Sequence, residues 1–79
     1  MLGQNLIIAE GEIIESLPNT LFRVKIDENA PEEIKGKTIL CKLSGKMRMY
    51  RISVMTGDRI KVEVSPYDLG KGRITYRNK

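Results

Sequence analysis

The segment Ser44-Gly45-Lys46-Met47-Arg48-Met49-Tyr50-Arg51 carries the densest chemistry in the chain: three cations, two thioethers and a phenol. Ammonium and guanidinium groups neutralise phosphates, and a guanidinium does so through two parallel hydrogen bonds. A methionine side chain is flexible and polarizable and can pack on an unstacked base or a ribose. A second basic set, Lys71, Arg73 and Arg77, lies near the C-terminus. Gly70 and Gly72 flank Lys71 and let a backbone come close to a ligand there. The chemistry on offer is capture of a polyanion rather than bond making.

The remaining reactive side chains point the same way. The chain has no histidine, the usual general base and the commonest metal ligand. Its one cysteine, Cys41, allows neither an internal disulfide nor a cysteine metal cluster. Cys41 alternates into an apolar face and reads as a buried structural thiol. Glu10, Glu12 and Glu15 have no partner group suited to acid–base work, so they read as a solvated face that pairs with cations across strands. We expect no enzyme, no cofactor and no metal site.

Charge is divided along the chain. Residues 1–33 hold two cations against seven carboxylates, and residues 34–79 hold twelve against three. A chain polarised this way offers its basic half to a polyanion. The competing reading is a solvated surface laced with salt bridges. No apolar stretch approaches the length of a membrane helix, roughly 20 residues. A lone thiol and no export signal point to the cytoplasm.

The 79 residues suffice for one domain, 1–79. Its period is mostly two, which predicts strands. Phe22, Val24 and Ile26 alternate with charged residues, as do Ile39, Cys41 and Leu43, with Leu40 turned out. Ile60, Val62 and Val64 form a third set, and Ile74 with Tyr76 a fourth. A longer first strand spans Leu6 to Leu17 and breaks phase near Gly11, where a bulge or bend is expected. Turn residues separate the runs at Pro18-Asn19-Thr20, Thr56-Gly57-Asp58 and Pro66 to Gly72. Residues 28–37 read as an exposed acidic loop, and the termini are expected to be flexible. Ser44 is placed to cap one or two helical turns between the third and fourth strands. Five short strands with that small helix predict an all-β, five-stranded Greek-key barrel of the OB-fold type.

On that frame Arg73 and Arg77 share the outer face of the last strand, while Phe22 and Tyr76 face the core. Two readings stand for Met47: a contact to an unstacked base, or a plug for the barrel end. Tyr67 either stacks on a base or caps the barrel, with the cap preferred. Few aromatics face outward, so backbone and shape recognition of structured RNA fits better than a stacking platform.

Leu17-Pro18-Asn19-Thr20-Leu21-Phe22-Arg23-Val24, Ser44-Gly45-Lys46-Met47-Arg48, Thr56-Gly57-Asp58, Pro66-Tyr67-Asp68-Leu69 and Lys71-Gly72-Arg73-Ile74 together resemble bacterial translation initiation factor one, in family order and over most of the chain. The resemblance implies an S1-like OB-fold and a monomer that binds the small ribosomal subunit at the decoding (A) site. It implies contact with 16S ribosomal RNA and an adjoining ribosomal protein. It further implies that premature tRNA binding there is blocked, that the other two initiation factors are stabilised, and that the factor leaves on large-subunit joining. By motif match the RNA contacts fall on Lys46, Met47 and Arg48, then Lys71, Arg73 and Arg77, with Tyr67 and Asn19 added. Residues 28–37 form a longer connection than the family's short turn, and Met49 to Ser53 departs from its usual run. The alternatives are a generic RNA-binding or RNA-chaperone module and a protein-interaction barrel that works through its acidic half.

Overall fold

Alternation at every second residue becomes the wall of a barrel. A computed structural model describes residues 6–51 and 53–78. The termini expected to be flexible, residues 1–5 and 79, lie outside the described residues. The elements run β1 (Ile7–Leu17), β2 (Leu21–Ile26), β3 (Thr38–Leu43), α1 (Gly45–Met49), β4 (Arg59–Val64) and β5 (Lys71–Asn78). The strands close in the order β1-β2-β3-β5-β4. The β3–β5 pair is parallel, and the other pairs are antiparallel. This is the five-stranded barrel with a short helix between its third and fourth strands that the sequence predicts.

The inward sets of β2 and β4 are as expected: Phe22, Val24, Ile26, Ile60, Val62 and Val64 are all buried. Ile39 and Cys41 join them from β3. Each such side chain contributes roughly 1.5–3 kcal/mol on burial. Among the described residues, no helix is long and apolar enough to cross a membrane.

β1 serves two partners, β4 along its first half and β2 along its second, and it bends between them. Gly11 lies in both ladders. A Cβ there would sit 2.5 Å from the Lys25 carbonyl oxygen and 2.9 Å from Val24 Cγ1, so only glycine permits the approach. The phase break expected near Gly11 falls just beyond it. Ala9, Gly11 and Ile13 all point inward, and the extra residue is Ile14, where pairing skips from Ile13 to Glu15.

β5 departs from the prediction more deeply. Its pairing with β4 jumps from Tyr76 opposite Lys61 to Ile74 opposite Val62, which leaves Thr75 as an inserted residue. One extra residue reverses every later side chain. Tyr76 is therefore 58% exposed and not in the core, and Arg77 takes the register of buried Ile60. Arg73 and Arg77 do not share an outer row.

Residues 28–37 are not simply an exposed loop. Glu28, Glu32 and Glu33 face solvent, but Ile34 is fully buried in the barrel core. The Ile34 and Lys35 N–H groups both donate to the Pro31 carbonyl at 3.0 Å, which shapes the turn that inserts it.

Candidate nucleic-acid interface

The interface is built around α1, a helix too short to stand without tertiary support. Ser44 caps it from an extended backbone, its Oγ accepting the Met47 N–H at 3.2 Å. The Ser44 N–H donates to the Ile74 carbonyl at 2.9 Å, which pins the helix start to β5. Met47 completes the anchor: it is 2% exposed and belongs to the core cluster. Of the two readings for Met47, the barrel plug is the one the structure bears out. Its side chain packs into the core and also borders the groove beside α1, whereas Met49 is 74% exposed. Burying Met47 leaves Lys46 and Arg48 exposed on either side of it.

The helix ends against its own carbonyls. The Tyr50 N–H donates to the Lys46 carbonyl and the Arg51 N–H to that of Arg48, each at 3.1 Å. Arg51 then adopts φ 55°, a left-handed conformation that side-chain-bearing residues rarely take. A groove of about 470 Å³ lies between α1 and the end of β5. Lys46, Arg51 and Arg77 line it with positive charge, Ser53 and Thr75 are its hydroxyl-bearing residues, Tyr76 adds an aromatic ring, and Met47 borders it from the core side. Lys61 Nζ stands 5.7 Å from the centroid of that ring.

The cations differ in how they are held. Lys46, Arg48 and Arg51 form no ion pair among the described residues, so their charge is open to a ligand. Arg77 is engaged: its Nε lies 3.5 Å from Asp58 Oδ2, and its NH1 donates to the Ser53 carbonyl at 3.3 Å. Lys71 and Arg73 belong to a different row, on the outer face where Leu40 registers with Lys71 and Lys42 with Arg73. There Arg73 donates to Glu63 at 2.8 Å.

The last two expected contacts sit at opposite ends. Asn19 (φ 65°) lies in the β1–β2 turn, on the same end as α1 by strand direction. Asparagine tolerates that backbone better than most residues. Tyr67 tops the β4–β5 turn at the other end, with its N–H on Ser65 Oγ at 3.1 Å. It is 87% exposed, so it does not cap the barrel.

Sequence reasoning missed Tyr76, Lys61, Ser53, Thr75 and Lys42. Lys42 was legible, since alternation on β3 turns it outward. Tyr76 was not, because nothing in the residue types announces the insertion at Thr75.

Away from the groove, Asp27 is gripped by Arg59 through both carboxylate oxygens, with NH1 on Oδ1 at 2.9 Å and NH2 on Oδ2. That hydrogen bonding, with the guanidinium charge, holds the Asp27 carboxyl below the usual range. The Cys41 thiol is pushed up to about 12 by burial, which fits an inert core residue. Among the described residues no group of histidine, cysteine or carboxylate side chains is arranged to hold a metal.

A family model described as translation initiation factor 1A / IF-1 matches residues 4–79. The chain belongs to that family. It is similar to translation initiation factor one from the Wolbachia endosymbiont strain TRS of Brugia malayi, with 42% identity over 94% of this chain and 79% of that one, at a TM-score of 0.70. It also superimposes on part of YjeQ from Thermotoga maritima, with 27% identity and a TM-score of 0.68 over 92% of this chain and 23% of that one. As a member of the initiation factor one family, the chain has a role in translation initiation.

Proposed function

We propose that this initiation factor acts in the cytoplasm as a monomer, binding the small ribosomal subunit at the decoding (A) site and contacting 16S ribosomal RNA there. Bound at that site it blocks premature tRNA binding, stabilises the other two initiation factors, touches an adjoining ribosomal protein and is released when the large subunit joins. The observation that carries this reading is the groove beside α1. It combines unpaired cations, two hydroxyls and an outward aromatic ring, the set needed to take a phosphate and an unstacked base of a folded RNA. Lys46, Arg48 and Arg51 make the primary phosphate contacts. Lys71 and Arg73 extend the footprint along β5, and Asn19 borders it. Tyr67, exposed on the turn that leads into Lys71, marks the far limit of that extension.

Chemical probing of isolated small subunits tests this. With the protein at saturation, reactivity changes confined to decoding-site nucleotides are expected, and Arg48→Glu should remove them. No change at saturation would sink the reading. The outward Tyr76 adds a stacking surface, and that observation favours a second reading, a generic RNA chaperone. An unstructured oligonucleotide that binds as tightly as the subunit would favour that second reading.

A further inference from the structure

Among the described residues, the connection from Tyr50 to Asp58 has no helix or strand, yet it supplies Arg51 and Ser53 to the groove. Its far end is tied to β1: the Gly57 N–H donates to the Ile13 carbonyl at 2.7 Å, and the Ile13 N–H to the Asp58 carbonyl at 3.0 Å. Asp58 Oδ2 closes the turn by accepting the Met55 N–H at 2.9 Å. The same oxygen lies 3.5 Å from Arg77 Nε, and Arg77 NH1 reaches the Ser53 carbonyl at 3.3 Å. Arg77 thus fastens the connection to β5 at two points.

Arg77 is aimed there by the inserted Thr75. Uninterrupted alternation would place it outward in the row of Arg73, but the bulge turns it over the barrel end. Were its guanidinium to leave for a phosphate, the Asp58 carboxylate would be left facing a polyanion without compensation.

We propose that Arg77 is a positioning residue: through Asp58 and the Ser53 carbonyl it sets the wall of the groove, and it acts on RNA through Arg51 and Ser53 rather than by donating to phosphate itself. The inference rests on the groove being the RNA contact proposed above.

Arg77→Gln, Asp58→Asn and the double variant test it, with an RNA hairpin of the decoding-site sequence as probe. Each single variant should lose about tenfold in affinity, within the range of coupling for members of one network, and the double should lose no more than either. The log–log salt slope should stay that of the wild type. In the free proteins, the amides of residues 53–57 should exchange faster in all three variants. In the wild type, the Arg77 Nε–H resonance should not move on RNA addition. The inference is overturned if Arg77→Gln shrinks the salt slope by roughly 0.7–0.9, the value for one phosphate, while Asp58→Asn leaves affinity intact. It is also overturned if the Arg77 resonance shifts with RNA, or if exchange at 53–57 matches the wild type. The exchange measurement needs no RNA, so it stands whatever becomes of the functional reading, which fails instead if the wild type does not bind.

Discussion

Arg51 joins a strained backbone to an exposed charge, and two substitutions separate them. Its φ of 55° costs an L-residue roughly 1–2 kcal/mol, and glycine escapes that cost. Glycine gives back about 0.4–1 kcal/mol through the greater freedom of the unfolded chain. Arg51→Gly should therefore be about 1 kcal/mol more stable than Arg51→Ala, and in a domain of this size that raises the melting temperature by about 4–8 °C. Both variants lose the guanidinium that lines the groove. Each should bind the decoding-site hairpin about tenfold more weakly, with a salt slope smaller by roughly 0.7–0.9. Thermal melts of the two variants and the wild type, together with RNA titrations at four salt concentrations, give every number needed. If the glycine variant melts no higher than the alanine variant, the left-handed residue is not strained. If both bind like the wild type, Arg51 is not at the interface. If the alanine variant loses affinity and the glycine variant does not, conformation rather than charge is what RNA reads at this position.

Three further outcomes rest on the packing and charge of the barrel. Gly11→Ala should destabilise by about 1–3 kcal/mol in denaturant titrations, because its new methyl meets the backbone carbonyl of Lys25, which no rotamer change can move. Gly45→Ala, with no atom within 4 Å of the added Cβ, should be neutral or stabilising by up to about 1 kcal/mol; equal losses at the two sites would contradict this account. Asp27 is held below its ordinary pKa by Arg59, so its contribution is full above the unfolded value of about 3.9 and is lost as pH falls through the lower folded one. Wild-type stability should accordingly fall faster than that of Asp27→Asn below about pH 4, and parallel melting curves across that window would show that the pair contributes nothing. Cys41, buried and with its thiol pushed up to about 12, should resist alkylation at neutral pH until the protein unfolds, and rapid labelling of the native protein would mean that the core opens at the β3–β5 seam.

The barrel was legible wherever alternation ran unbroken. Phe22, Val24 and Ile26 needed only a period of two, and so did Ile60, Val62 and Val64. Ser44 as a helix cap followed from its chemistry and its place before the segment Lys46 to Tyr50. The misplacements share one cause. Ile14 and Thr75 are β-branched residues that fit a regular strand as well as a bulge, so their types do not report the insertion, and each reverses the side chains beyond it. Ile34 was hidden differently: a single apolar residue among carboxylates shows no period, and only the closure of the barrel end gives it a place to go.

The candidate site inherits this pattern. The exposure of Lys46 and Arg48 was legible because a capped helix presents its charges whatever the barrel does. The rest of the groove depends on β5 meeting the α1–β4 connection, a long-range contact such as that of Arg77 with Ser53 that no local rule expresses. The insertion at Thr75 joins the two halves of the problem. It turns Tyr76 outward into the groove and Arg77 over the barrel end toward Asp58, converting an ordinary strand face into one wall of a binding surface and the fastening for the other. A regular β5 would keep the same charge and bury the ring, and the groove would lose its aromatic side and its hold on Ser53. The groove proposed for RNA is therefore set less by how many cations the chain carries than by one extra residue in its last strand.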